Sequence, residues 1–189
     1  KIKCEQCKKG EFKKVELFNM MFQMKVGVTG DNTAYLSPET AQNPYLSFKR
    51  EFMALRERMP FGLAMIGKAF RKEISPRQGF FRLREFTQAE LQIFFDPENL
   101  NECDSWGKIK NYKLLINKKD NVESVSCDEL NSKLKIPKFY LYNLSLVQKF
   151  YLDILRIPKN KFRFRELSES ERAFYNKIHY DVELDLDSL

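Results

Sequence analysis

Between Phe61 and Phe95, arginine, glutamate and phenylalanine recur at a spacing that suits a phosphate and a flat base. Side chains alternate faces along a β-strand, so the second half of this stretch puts Arg82, Arg84, Phe86, Gln88 and Glu90 on one side. The opposite side carries Phe81, Leu83, Glu85, Thr87, Ala89, Leu91 and Ile93. In the first half the same parity groups Gly67, Ala69, Arg71 and Glu73, and it turns Ala64, Ile66, Phe70 and Ile74 toward the core. With a turn over Ser75 to Phe80 and Ile74 opposite Phe81, Glu73 faces Arg82, Arg71 faces Arg84 and Ala69 faces Phe86. Facing arginines repel unless an anion lies between them, and a phosphate meets that need. Phe86, opposite a small residue, leaves room for a base to stack, and Glu73 can accept from an exocyclic amine or orient Arg82. The alternative is a solvated sheet face ion-paired through Glu73 and Arg82.

The elements that must position these residues follow from hydrophobic spacing. Residues 15 to 38 read as strands with a turn at Gly30-Asp31-Asn32. From Thr40 to about Arg58, Tyr45, Phe48, Phe52 and Leu55 recur at helical spacing, so an amphipathic helix leads into the hairpin. Residues 98 to 138 are polar and lysine-rich, including Asn117-Lys118-Lys119-Asp120-Asn121. They read as a solvated loop with short strands, or as a surface that neutralises RNA phosphates. Residues 139 to 157 carry Tyr142, Leu146, Phe150 and Ile154 along a helix stopped at Ile157-Pro158. Lys161 to Arg165 alternates as a strand, Ser168 to Glu171 resembles a capping box opening a short helix, and Asp181 to Leu186 alternates as another strand.

Composition narrows the class. The chain has 189 residues, 43% hydrophobic and 31% charged, enough for one domain with its own core. A net charge of +7 and a pI near 9.1 suit a polyanionic partner such as RNA. No run has the length of a membrane span and no secretory signal is evident, so no membrane association and a cytoplasmic location are expected. The single histidine, His179, lacks the serine or cysteine pattern of a catalytic triad and reads as structural. Cys4-Glu5-Gln6-Cys7 has the spacing of a zinc knuckle, which is half a site. Its other ligands would lie upstream of Lys1 or be Cys103 and Cys127, whose spacing matches no familiar second half. Free thiols in a reducing compartment are the competing reading.

The run Phe70-Arg71-Lys72-Glu73, a loop, and Arg82-Leu83-Arg84-Glu85-Phe86 resembles motif 2 of the class II aminoacyl-tRNA synthetases. Flanking blocks narrow the likeness to glycyl-tRNA synthetases of the archaeal and eukaryotic type: Tyr35-Leu36-Ser37-Pro38-Glu39-Thr40-Ala41-Gln42, Pro60-Phe61-Gly62, Ile66-Gly67, Glu73-Ile74-Ser75-Pro76-Arg77, and Arg84 through Glu90. Phe18 to Phe22 is similar to the same family, as is Phe162 to Glu166 through Asp181-Val182-Glu183. The likeness is dense over residues 15 to 97, recurs over 150 to 185 and is thin between.

The resemblance implies an α+β fold: a class II synthetase-like antiparallel β-sheet flanked by helices, here a partial catalytic core. Residues 1–97 would be the core with motif 2, 98–138 an insertion, and 139–189 a helix and the return to the core. Arg71 would be the catalytic residue, holding the α-phosphate of ATP and the acyl-phosphate formed on it. Glu73 would meet the adenine amine, Phe86 would stack the adenine, and Arg82 with the backbone at Leu83 would complete the nucleotide site. Glu39 and Glu90 match the family's glycine-binding carboxylates, which suit a substrate ammonium. For Glu39 the alternative is a carboxylate serving the dipole of the helix that Thr40 opens. Arg77 and Gln78 would touch the acceptor end of tRNA(Gly), and Glu183 would lie on the substrate side of the sheet.

The implied activity is that of a glycine–tRNA ligase in translation, with ATP and Mg2+, forming glycyl-adenylate and passing glycine to the tRNA 3' end. No protein nucleophile is required. A homodimer is expected of the full-length enzyme. The alternative is a non-catalytic synthetase paralogue acting as an RNA-binding or regulatory module. Ser37 stands where the family has arginine, and Asn43-Pro44 where it has glycine and an apolar residue. The chain begins at Lys1 and ends at Leu189, and motif 1, motif 3 and an anticodon-binding domain are not visible in it. A part of a catalytic domain, inactive by itself, is the expectation.

Overall fold

The computed structural model describes residues 3–11, 16–118 and 121–186, which fall into two compact units, Lys1–Phe94 and Phe95–Leu189. Lys1, the Val15 start of the expected strand region, Lys119 and Asp120 of the lysine-rich run, and the final residues Asp187, Ser188 and Leu189 lie outside the described residues. Strands in mainly antiparallel sheets, with a few helices, make the architecture α+β.

In the first unit, β1 (Gln23–Val26) and β2 (Asn32–Tyr35) form an antiparallel hairpin. It reverses through Gly27 and Gly30, whose left-handed φ values of 95° and 69° are cheap only without a Cβ. Helix α1 (Asn43–Ala54) begins three residues after Thr40, because Pro44, which has no amide hydrogen, takes the first turn. It stops short of Arg58 because the chain turns left-handed at Arg56 and Glu57, and the Glu57 amide closes on the Phe52 carbonyl at 2.8 Å.

Helix α1 lies on the hairpin of β3 (Phe61–Phe70) and β4 (Glu85–Phe94) through stacked rings. Phe48 packs on Phe61 and Phe94 at centroid distances of 5.7 and 4.7 Å, and Phe52 on Phe61 at 6.0 Å. The Tyr45 hydroxyl donates to the side-chain Oε1 of Gln92 at 3.1 Å. The covered face carries Phe61, Leu63, Met65, Gly67 and Ala69, which corrects the expectation that Ala64 and Ile66 point to the core. Ala69 is fully buried, whereas Ile66 is 78% exposed and Ile74 is 74% exposed. Alternation separates two faces, but both are apolar here, and only the ring cluster selects the one that is covered.

The ladder register is the expected one, with Ala69 opposite Phe86. It ends at Phe70 and Glu85, followed by one bond from the Arg71 amide to the Arg84 carbonyl at 2.9 Å. Continuation of the strands to Ile74 and Phe81 does not occur. The Lys72 amide donates instead to the Met20 carbonyl at 2.7 Å, and Gly79–Phe81 coils into a short helical turn. Arg82 and Glu73 are therefore loop residues rather than a laddered pair.

The second unit is a four-stranded sheet in the order β6 (Asn121–Ser126), β5 (Lys113–Lys118), β7 (Phe162–Glu166), β8 (Tyr180–Leu184). Only β5 and β7 run parallel. Alternation along β7 sends Phe162 and Phe164 inward and Arg163 and Arg165 outward. The inward rings share a core with Ile109 of α2 (Trp106–Ile109), Leu114 and Ile116 of β5, Val125 of β6, Leu130 of α3 (Cys127–Leu134) and Leu141 and Leu144 of α4 (Lys138–Lys149). Ser126 caps α3 by accepting from the Glu129 amide at 3.2 Å. The buried Gln148 of α4 accepts from the Leu115 amide at 2.9 Å and donates to the Lys113 carbonyl at 2.9 Å. It satisfies β5 where β7, paired only at Ile116 and Asn117, leaves the backbone without a strand partner.

Residues 98–138 and the residues that follow contribute to one hydrophobic core. The lysines misled because they punctuate buried positions two and four apart. The capping-box bonds at Ser168 form, with the Ser168 amide donating to the Glu171 carboxylate at 3.0 Å, yet the segment makes turns rather than the expected helix.

Candidate active site

Where β3 and β4 end, the departing loop walls an open cleft of about 410 Å³. Its lining is Arg71, Glu73, Phe80, Phe81, Arg82, Leu83, Phe86 and Thr87. All five residues expected around a nucleotide thus border one space. Arg71 is fixed from two sides: its Nε donates to the Pro38 carbonyl at 3.1 Å, and its guanidinium lies 5.3 Å from the centroid of the Phe86 ring. The Arg84 Nε donates to the Glu73 carbonyl at 3.0 Å, which holds the strand exit closed. Arg71 and Arg84 thus each donate to a backbone carbonyl.

Next along β4, on the same face as Phe86, lie Gln88 and Glu90. The Gln88 amide nitrogen donates to Glu90 Oε1 at 2.6 Å, and its carbonyl oxygen accepts from the Thr40 amide at 3.1 Å. Gln88 therefore ties the carboxylate of Glu90 to the backbone beside Glu39. Glu39 itself is exposed and precedes Asn43, the first residue of α1, whose first turn holds no acidic residue, so the helix-dipole reading of this carboxylate lapses. Ser37 donates to the Glu39 carbonyl at 2.5 Å. Thr40 is buried against Gly67, where a Cβ would come within 3.1 Å of the Thr40 methyl. Gln88 and Thr40 were not singled out from sequence, although Gln88 shares the parity of Phe86 and Glu90. Arg77 and Gln78 sit exposed in the loop, beside Gly79 at a φ of 53°.

The cleft offers one carboxylate, Glu73, next to two guanidiniums. That donor set does not fit a resident Mg2+, which takes carboxylate and water oxygens. A magnesium ion here would have to arrive on the phosphates of a nucleotide. Among the described residues no group of three or more histidine, cysteine, aspartate or glutamate side chains is placed to hold a metal. Cys127 is not a ligand: it is fully buried in the second unit, and burial pushes its thiol up to about 11. The Cys7 thiol moves the other way, lowered by backbone N–H donors at Gly10 and Lys9.

In the second unit, Glu183 is held by Arg163 at 2.6 Å and Arg165 at 2.8 Å, an arrangement that keeps it in an ion-pair network. Arg165 also meets Glu171, whose carboxyl it and the Ser168 amide and hydroxyl hold down at about 2. His179 lies between Asn176 and Asp181, at 3.0 and 3.2 Å, in keeping with a structural role. No helix among the described residues is long and apolar enough to cross a membrane.

The sequence matches the tRNA synthetase class II core domain (G, H, P, S and T) over residues 22–177. It is 42% identical over 190 residues to the glycine–tRNA ligase of Thermococcus gammatolerans, covering 97% of this chain and 33% of that protein. Identity to the glycine–tRNA ligase of Pyrococcus abyssi is 43% over the same shares. Identity to that of Methanococcus vannielii is 38% over 198 residues, 98% of this chain and 34% of the relative. The chain thus spans about a third of the length of the curated relatives it matches. A match across most of the sequence, on a fold whose motif 2 hairpin is in the expected register, means that the chain belongs to the class II tRNA synthetase core domain family.

Proposed function

We propose that this chain is the ATP- and glycine-binding part of a glycine–tRNA ligase, acting in the cytoplasm on tRNA(Gly) as part of a homodimer. The observation that carries the reading is the cleft bordered by Arg71, Glu73, Arg82, Leu83 and Phe86, with Glu90 on the same sheet face. In the reaction a glycine carboxylate oxygen attacks the α-phosphorus of ATP, and the bond to the β-phosphate breaks to release pyrophosphate. The terminal ribose hydroxyl of the tRNA then attacks the activated carbonyl, and AMP departs.

Arg71 is the residue that meets the α-phosphate. Its guanidinium, held by the Pro38 carbonyl and lying over the Phe86 ring, turns its remaining N–H groups to the phosphate, and the adenine stacks against the same ring. The cation thereby gains a bidentate anion partner. Glu73 accepts from the adenine amine. Glu39 and Glu90 take the glycine ammonium, and Gln88 sets the height of Glu90 above the sheet. Because glycine is the smallest amino acid, such a site need only exclude larger side chains. Arg77 and Gln78 reach the acceptor end of the tRNA.

The test is glycine-dependent ATP–pyrophosphate exchange by the full-length polypeptide. Exchange specific to glycine over alanine and serine is expected. Exchange at background, from protein that still binds tRNA, would return the chain to the reading of a non-catalytic paralogue.

A further inference from the structure

We propose that Gln88 is a positioning residue that decides how tightly the site holds glycine, by occupying one carboxylate oxygen of Glu90 and aiming the other at the substrate ammonium. This role rests on the reading of Glu90 as an ammonium ligand: Gln88 acts through Glu90 and does not touch the substrate. A backbone amide can only donate, so the Gln88 carbonyl oxygen must face the Thr40 amide, 3.1 Å away. Its NH2 group is then left to point along β4 at Glu90 Oε1, which it meets at 2.6 Å. The two ends of the side chain are not interchangeable, because a carboxylate accepts where a backbone amide donates. Glu90 therefore gains a donor at Oε1 and loses its freedom to turn about the last bond of its side chain.

The hairpin by itself would leave Gln88 loose. Its cross-strand partner is Gly67, which has no side chain to pack against it. Thr40 fills that place: it is 3% exposed, and a Cβ at Gly67 would come within 3.1 Å of its methyl. Thr40 is itself fixed, since its carbonyl accepts from the amide of Asn43, the first residue of α1, at 3.2 Å. The Asn43 side-chain nitrogen in turn lies 3.2 Å from Met65 Sδ, and Met65 is the cross-strand partner of Glu90. A closed ring of contacts thus runs from Glu90 through Gln88, Thr40, Asn43 and Met65 back to Glu90. The Thr40 hydroxyl has no partner among the described residues, so Thr40 holds Gln88 by its main chain, and the contact is best broken at Gln88.

Two variants are compared in glycine-dependent ATP–pyrophosphate exchange by the full-length polypeptide. Gln88→Met keeps the length of the side chain and removes its amide donor and acceptor. Gln88→Glu keeps the acceptor that the Thr40 amide needs and sets a second carboxylate against Glu90. Losing a hydrogen bond to a charged group should raise KM for glycine roughly 10- to 100-fold in Gln88→Met, with KM for ATP and kcat held within about twofold. Gln88→Glu should raise it further, although it is the variant that spares the Thr40 contact. A role confined to supporting the backbone demands the reverse order, with Gln88→Glu near wild type, and that order would overturn the inference. So would KM values for glycine and ATP that rise together, or failure of both variants to fold. Where one variant fails to fold, the other decides by the split between the two KM values. Wild-type protein without glycine-dependent exchange would instead remove the ligase reading, and this role for Gln88 with it.

Discussion

Replacing Arg71 by lysine keeps a positive charge in the cleft and removes the two contacts that aim it. Lysine has no Nε donor at the point where arginine meets the Pro38 carbonyl at 3.1 Å, and its compact ammonium cannot lie flat over the Phe86 ring as the guanidinium does at 5.3 Å. A hydrogen bond from a charged group contributes about 1.5–3 kcal/mol, and a cation over a partly exposed ring about 0.5–1 kcal/mol. Together they come to about 2–4 kcal/mol, a loss of roughly 30- to 1000-fold at 1.36 kcal/mol per tenfold. The assay is glycine-dependent ATP–pyrophosphate exchange by the full-length polypeptide, with kcat/KM for ATP compared between wild type and Arg71→Lys. Most of the loss should fall in kcat, because a misplaced charge still attracts the triphosphate but no longer meets the α-phosphate as its bond order changes. A loss below about threefold would refute the reasoning, because charge alone would then suffice and the carbonyl and ring contacts would position nothing.

Gly67→Ala would press a methyl to within 3.1 Å of Thr40 and shift the backbone that Gln88 links to Glu90. At about 1.4 kcal/mol, within the range for overpacking, KM for glycine should rise roughly tenfold while KM for ATP holds, and equal shifts in the two would contradict the assignment. Arg77→Ala, on the exposed loop, should slow transfer to tRNA in single-turnover assays more than it slows exchange; equal losses would place Arg77 at the nucleotide instead. Burial raises the Cys127 thiol from 9.0 to about 11, and burial also raises Tyr112, Tyr140 and Tyr180. These groups ionise in the unfolded chain before they do in the folded one. The stability they favour is therefore whole below pH 9 and drains away as pH climbs toward 11. Urea midpoints should fall across that window, less steeply in Cys127→Ala, and a wild-type midpoint flat from pH 8 to 11 would contradict the burial.

The sequence carried the register of the hairpin, because alternation and the length of the loop together leave only one pairing that sets Ala69 against Phe86. It also carried the identity of the cleft residues, since chemistry that needs a fork of donors, a ring and a carboxylate is written in residue types. Which face of the hairpin is covered was not legible, because Ala64, Ile66 and Leu91 are as apolar as Phe61, Leu63 and Met65. Only the docking of Phe48 and Phe52 decides it. Nor could local pattern show that residues 98–138 share a core with α4 and β7, since the contacts that join them span tens of residues. The role of Gln88 is likewise tertiary. Its two bonds reach Glu90 two residues away and Thr40 forty-eight residues away, and a hydrogen bond of the second kind exists only once the chain has folded. Residue chemistry and spacing thus determined which side chains border the cleft, whereas long-range packing decided which face of the hairpin is covered and what holds Glu90 in place.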